Sequence, residues 1–217
     1  DYRAAAGDRV RHLTFGADVL DTGGIGADRD IDLLRVGRQP EEWDDDDQSF
    51  AACEAAGIRF HGGPPGGKDP LENLLILADR YRRSKFTIAH TNLLVKHTST
   101  HDEVDYLTAR WTDSVANGTV VVGIHPETDT LFRDRYWPEA FITLDGMERA
   151  SNIEEISRHL ANWSPAIAKL NHRNALERLD WRWRLKELAD WMNLTTPVLD
   201  EELDQVRSRI ANLQDQI

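Results

Sequence analysis

The chain has 217 residues, 40% of them hydrophobic, with seven tryptophans and a formal net charge of −12. This composition supports a real core and argues against broad nucleic-acid or anionic-membrane binding, while leaving room for one local basic pocket. A single cysteine, Cys53, excludes an internal disulfide framework and fits a reducing cytoplasm. No apolar run approaches the roughly 20 residues that span a membrane.

Residues 1–30 open on Asp1-Tyr2-Arg3, without Met or a signal-peptide pattern, so a fragment or a missing beginning is expected. A short strand candidate, Val10-Arg11-His12-Leu13, precedes a glycine-rich stretch at Gly23, Gly24 and Gly26. The segment reads as a linker or the remnant of a preceding domain. Residues 31–38 form a strand ending in Gly37-Arg38. The acidic run Asp44 to Asp47 then leads into Phe50, Ala51, Ala52, Ala55 and Ala56, and Gly57 stops this helix. The run lacks the spaced ligands of a calcium loop, so capping is its reading.

Residues 58–61 give a second strand and 64–70 a loop. Leu71, Leu74, Leu75, Leu77, Ala78 and Tyr81 mark the apolar side of a helix, and residues 85–90 a third strand. A polar loop over 91–103 leads to Asp105-Tyr106-Leu107-Thr108-Ala109-Arg110, a helix start that Gly118 closes. Residues 119–123 and 141–145 supply the fourth and fifth strands. The alternation predicts an α/β fold, a Rossmann-like parallel sheet with helices on both faces. Ligands of such sheets sit beyond the strands' carboxyl ends, where Arg38, His61, His90 and His125 fall.

From residue 151 onward the pattern is helical. Ser151 or Asn152 caps a helix bearing Ile153, Ile156 and Leu160, and Ser164-Pro165 opens the next. Leu199, Leu203, Val206, Ile210, Leu213 and Ile217 recur alternately four and three apart. This heptad stripe suits docking on another part of the molecule, including a missing amino-terminal domain, or pairing with a second copy. The expected division is a linker over 1–30, a Rossmann-like domain over 31–150 and a helical extension with an amphipathic terminal helix over 151–217.

Three stretches carry candidate chemistry. Gly62-Gly63-Pro64-Pro65-Gly66-Gly67-Lys68 has phosphate-loop spacing after a strand. However, Asp69 stands where Ser or Thr would hold magnesium, and the prolines lack N–H groups, so a surface turn is expected. His97 and His101, with His90, Asp102 and Glu103 nearby, could hold zinc, but a loop of solvated or ligand-facing histidines fits better. The helix start at Asp105 to Arg110 carries Tyr106, Thr108 and Arg110 where free N–H groups and the positive dipole end favour an anion. An ordinary crossover helix is the competing reading.

Residues 83–92, Arg-Ser-Lys-Phe-Thr-Ile-Ala-His-Thr-Asn, and 105–122, from Asp-Tyr-Leu-Thr-Ala-Arg to Val-Val-Val, resemble the donor-binding region of GT-B-fold glycosyltransferases. The likeness is nearest to the fucosyltransferase-type (family 10) pattern: a Tyr-Lys-Phe strand, a Glu-Asn turn, Asp-Tyr-Val-Thr-Glu-Lys, Gly-Thr and Val-Pro-Val-Val. It covers roughly residues 31–145 and includes the Val-Gly-Arg ending at Arg38. The family's Glu is Ala109 here, its Lys is Arg110, and Val121 replaces a Pro, so GDP-fucose does not follow as the donor.

This resemblance implies a bacterial-type, cytoplasmic transferase moving a sugar from a nucleoside-diphosphate sugar to a sugar, lipid, peptide or natural-product acceptor. It implies a donor site of Arg38, Lys85, Asn92, Asp105, Tyr106, Thr108 and Arg110. Fixed cations and a helix N-terminus would stabilise the leaving diphosphate without metal or cofactor. Lys85 as a solvated strand flank is the alternative at that position. The catalytic base is unassigned, and an acceptor domain is expected to lie outside this chain. A catalytically inactive nucleotide- or protein-binding module is the second hypothesis, and an epimerase or phosphorylase on the same architecture the third.

Overall fold

The apolar runs become strands of one parallel sheet. The computed structural model describes residues 7–11, 13–26, 28–95, 105–127 and 130–214, the side chains of Asp8, Thr130 and Leu131 apart. Its strands are β1 (Ile31–Arg35), β2 (Phe60–His61), β3 (Ser84–Ile88), β4 (Val120–Gly123) and β5 (Phe141–Thr143). All neighbours pair in parallel, in the order β2-β1-β3-β4-β5. Strands β1 and β4 are buried throughout and β3 nearly so, as expected of strands covered on both faces.

The helices are α1 (Glu41–Asp44), α2 (Asp46–Ala55), α3 (Pro70–Arg82), α4 (Ala109–Ala116), α5 (Thr130–Arg135), α6 (Arg149–Leu160), α7 (Pro165–Arg178), α8 (Trp181–Trp191) and α9 (Pro197–Gln214). Strand alternation divides the core between the two sheet faces. On one face Leu33, Phe86, Ile88 and Val122 pack with Trp43 of α1, Cys53 of α2 and Ile156 of α6. On the other, Ala89 and Val121 pack with Trp111 and Val115 of α4, Leu176 of α7 and Val206 of α9.

Several helix starts carry side-chain caps. Asp45 Oδ1 accepts from Gln48 N at 3.0 Å, and Asp69 Oδ1 from Glu72 N at 2.9 Å, with Pro70 opening α3. Helix α6 begins earlier than its sequence suggests. Glu148 is its cap and accepts from Ser151 N at 2.8 Å, so neither Ser151 nor Asn152 fills that position.

The strand expected over residues 10–13 does not form among the described residues. Val10 and Arg11 follow a short 3-10 turn, and His12 lies outside them. The stretch expected to be a linker is instead bound into the core at Ala17. Ala17 N donates to Leu179 O and Ala17 O accepts from Trp181 N, both at 3.0 Å. The buried Asp180 carboxylate accepts from Val19 N at 3.1 Å and Leu20 N at 3.0 Å. Beside it Arg182 pairs with Asp18, Asp21 and Glu202.

Two apolar faces behave differently from their pattern. In α3, Ala78 and Tyr81 are buried, whereas Leu71, Leu74 and Leu75 are 65%, 47% and 55% exposed. The helix packs through its later turns, where Leu77 and Tyr81 meet Ile31 and Leu34 of β1. In α9, Val206 and Leu213 are buried in the core that α4 and α7 share, and Leu203 is buried as well. Burial stabilises each large apolar side chain by about 2 kcal/mol. The stripe is therefore committed to the chain's own core, not held out for a second copy or a preceding domain; Ile217 lies outside the described residues.

Candidate functional site at the β1/β3 switch point

The strand order places a topological switch between β1 and β3. The chain leaves β1 toward β2 and leaves β3 toward β4, so the two loops diverge and open a crevice at the carboxyl edge. One wall is the segment 36–40, with Gly37 at φ 66°, a left-handed conformation that favours glycine. The other wall is the segment 89–92 and the start of α4.

The walls are tied together by side chains. Gln39 Nε2 donates to Val36 O at 3.1 Å and to Ile88 O at 3.2 Å. Arg110, in the first turn of α4, donates through Nη1 to Val36 O at 3.1 Å and to Arg38 O. Burial lowers the Arg110 guanidinium's pKa from its ordinary value. Thr108 is the N-cap residue of α4 but makes no side-chain cap bond, so the opening N–H groups of the helix are uncapped. They point their partial positive charge at the crevice. Ala109, the next helix-start position, is exposed there.

His90 is fully buried at the same edge. Ile124 N donates to its Nδ1 at 3.1 Å, which fixes the neutral ring's proton on Nε2. That Nε2 is buried and has no hydrogen-bond partner. Burial, with Arg110 adding repulsion, pushes the imidazole pKa down to about 4. Gly123 lets the strands close here: a Cβ at this residue would stand 1.7 Å from Ala89 O.

The expected donor residues divide into three groups. Arg38, Tyr106, Thr108 and Arg110 gather at the crevice. Asn92 and Asp105 are there too, but they hold the loop. Asn92 Oδ1 accepts from Tyr106 N at 2.8 Å, and Thr91 Oγ1 donates to Asp105 Oδ1. These two therefore orient Tyr106 and the entry to α4. Lys85 does not reach the crevice. It is the second residue of β3, at the amino end, where its Nζ donates to Asp32 Oδ1 at 2.7 Å and lies 5.5 Å from the Trp163 ring centroid.

The other candidates resolve in local terms. Arg80 donates to Gly63 O and Pro64 O at 2.9 and 3.2 Å, while Gly67 N donates to Asn73 Oδ1 and Lys68 N to Glu72 Oε2. The glycine-proline loop thus spends two of its N–H groups on α3 side chains, as a turn does and a phosphate cradle does not. In the acidic run, Asp45 caps α2, and Asp44 and Asp46 pair with Arg35 at 2.6 and 3.2 Å. His61 ends β2 and His125 follows β4 by two residues, both away from the crevice, with His125 stacked on Phe132 at 4.6 Å. His97, His101, Asp102 and Glu103 lie outside the described residues. Among those described, no three His, Cys, Asp or Glu side chains gather as metal ligands.

Gln39 is the crevice residue that sequence reasoning passed over. Its only signal is its place, directly after the strand's Gly37-Arg38 ending. No protein-family model and no curated protein matches this chain. No helix among the described residues is long and apolar enough to cross a membrane.

Proposed function

We propose that this chain is the donor-binding part of a glycosyltransferase that takes a nucleoside-diphosphate sugar. The observation that carries the reading is the uncapped start of α4 facing the β1/β3 crevice, with Arg110 and Arg38 beside it. As the sugar–oxygen bond breaks, negative charge grows on the leaving diphosphate. Donors already oriented toward that position stabilise the charge without reorganising. In this reading the α4 N–H groups and the Arg110 guanidinium meet the diphosphate, Tyr106 and Thr108 bond phosphate or ribose, and Arg38 closes the outer side. Transfer proceeds without a metal ion.

Calorimetric titration with UDP, GDP and dTDP tests the reading. Saturable binding of one of them that Arg110→Ala removes supports it; undiminished binding in that variant sinks it. Transfer assays with the corresponding sugars then separate an enzyme from a binding module. If EDTA abolishes transfer and magnesium or manganese restores it, the metal-independent step is wrong.

A catalytically inactive nucleotide-binding module is the second reading. It is favoured by the internal use of Asn92 and Asp105 and by Ala109 where the resembled family has a carboxylate. Diphosphate binding without hydrolysis or transfer from any sugar nucleotide would select it.

A further inference from the structure

Four arginines are buried, Arg29, Arg35 and Arg182 at 8% exposure and Arg184 at 1%. Three of them meet a carboxylate. Arg35 pairs with Asp44 at 2.6 Å, Arg182 with Asp18 at 3.0 Å and Arg184 with Glu187 at 3.3 Å. Arg29 pairs with none among the described residues. Its acceptors are all neutral: the carbonyls of Tyr81, Ser84 and Asn117 and the Thr119 hydroxyl. A buried charge is costly unless it is paired, and interiors normally supply the counter-ion. Burial, opposed by no carboxylate, lowers this guanidinium's pKa to about 10.

Arg29 also forms part of the wall of an open cavity of about 490 Å³, a volume within the range that holds small ligands. The cavity lies at the amino edge of the sheet. The segment entering β1, the first turn of α7 and the last turns of α9 enclose it. The four neutral acceptors occupy Nη1 and Nη2 of Arg29, so its Nε–H has no partner. Arg184 Nε is also unpaired but is sealed in the interior; Arg29 Nε is not sealed.

Two further cations, Lys169 and Arg209, stand in the same wall, against one acid, Asp28. Asp28 is exposed and does not pair with Arg29. Arg209 is exposed and makes no ion pair or hydrogen bond among the described residues. This concentration of positive charge runs against a chain whose formal net charge is −12. Ile25, Trp163 and Leu213 give the cavity an apolar side.

We propose that this cavity binds a small phosphomonoester, whose phosphate is the counter-ion that Arg29 lacks. Such a phosphate carries a charge of about −1.5 to −2 at neutral pH, which matches three cations less one carboxylate better than a single carboxylate ligand does. Lys169 and Arg209 hold its outer oxygens, and its organic part rests on Trp163 and Leu213. The site is separate from the β1/β3 crevice, at the other edge of the sheet, and does not depend on the transferase reading.

The test is calorimetric titration of the full chain with phenyl phosphate, benzoate and inorganic phosphate at pH 8. Saturable phenyl phosphate binding is expected. Benzoate lacks the second charge and inorganic phosphate the ring, and each should bind about tenfold more weakly. The double variant Lys169→Gln with Arg209→Gln should lower phenyl phosphate affinity about tenfold with its circular dichroism unchanged. Arg110→Ala should leave that affinity as it is, because the crevice takes no part. Absence of saturation, or undiminished binding in the double variant, overturns the site. Loss of phenyl phosphate binding in Arg110→Ala also overturns it, by placing the anion in the crevice. Benzoate or inorganic phosphate binding as tightly as phenyl phosphate overturns the phosphomonoester assignment.

Discussion

Arg29 and Arg110 stand at opposite ends of the parallel sheet, and each directs its guanidinium at backbone carbonyls. Arg29, at the amino end, donates to Tyr81 O at 3.3 Å, Asn117 O at 2.6 Å, Thr119 Oγ1 at 3.1 Å and Ser84 O. Tyr81 closes α3 and Asn117 is the C-cap of α4. Helix ends expose orphan carbonyls and negative partial charge, so a cation placed there is held by the fold itself. Arg110 sits at the other end of α4, where the orphan groups are N–H and the partial charge is positive. Its carbonyl partners are two loop residues, Val36 and Arg38. The same side chain is therefore structural at one edge and, at the other, placed beside uncapped helix N–H groups whose partial charge favours an anion.

The sharpest break in this comparison is Arg29→Met. It removes a donor from four acceptors, of which Tyr81 O and Ser84 O still share the Thr119 hydroxyl, in a site where Arg29 itself is 8% exposed. A loss of about 4 kcal/mol is expected from unpaired buried polar groups, a large part of a typical 5–15 kcal/mol stability. Chemical denaturation measures it. A loss under about 1 kcal/mol would mean that water or a shifted Gly118 loop replaces the guanidinium, and Arg29 would no longer differ from Arg110. Gly118 supports the first outcome. It has φ 74°, and a Cβ there would stand 2.6 Å from Ala168 O, so the loop has little room to move.

Arg110→Ala should reverse the pattern, with a modest change in stability and a large change in binding. Charge-assisted contacts to phosphate are worth about 1.5–3 kcal/mol, which is roughly a tenfold to hundredfold loss of diphosphate affinity. If stability falls by as much as in Arg29→Met while affinity holds, Arg110 is a loop clamp and the crevice is not a diphosphate site.

Much of this fold is legible because buried parallel strands must be apolar on both faces. Phe86 to Ile88 and Val120 to Val122 are such runs, and Leu33-Leu34 mark the middle of β1 between the charged Asp32 and Arg35. Position along a strand is less legible. Lys85 and Arg38 both flank strands, yet one precedes the apolar run and the other follows it, which in a parallel sheet separates them by the sheet's full depth. Polar loop residues are ambiguous for another reason. Asn92 and Asp105 have the side chains of ligand contacts, but a loop that re-enters the fold must first satisfy its own backbone, and here they do so. The stripe in α9 shows the same limit: periodicity reports that a face is buried, not what buries it. Gln39 lay beyond sequence reading because its role comes from the gap between β1 and β3, which only the strand order creates.

Acidification offers a third, smaller contrast. Burial lowers His90 and His172 to about 4 and raises Asp113 to about 6. The histidines bind protons more readily when unfolded, so their contribution is present above the ordinary 6.5 and is lost as pH falls toward 4. Asp113 acts in the opposite sense: its folded carboxyl keeps a proton that the unfolded one releases, so its contribution is present below the ordinary 3.8 and is lost as pH rises through 6. From pH 6 to 5 the two effects partly cancel, and these groups leave a net loss of about 1 kcal/mol. In Asp113→Asn the offset is gone, and the loss over the same interval grows to about 2 kcal/mol. Denaturation at the two pH values, in parent and variant, reads both. An unchanged slope in the variant would mean that Asp113 is ionised and solvated in the folded chain.

The smallest expected effect tests whether the two ends of the sheet are as separate as their geometry implies. Lys85 donates to Asp32 at the amino end of β3, and Arg59 pairs with the same carboxylate at 2.8 Å. Burial by itself would raise the Asp32 pKa, but bonds from Arg59 and Lys85 outweigh it and hold the carboxyl well below its usual range. Lys85→Met removes one of two cations from a carboxylate that keeps the other and keeps the stem's packing against Trp163. The cost should be about 1 kcal/mol in stability, within the range of a partly exposed ion pair. Diphosphate affinity should not change, because no part of Lys85 approaches the α4 start. A tenfold fall in affinity with stability preserved would place the anion at the amino edge, contradict the switch-point site and make Lys85, not Arg110, the cation that binds it.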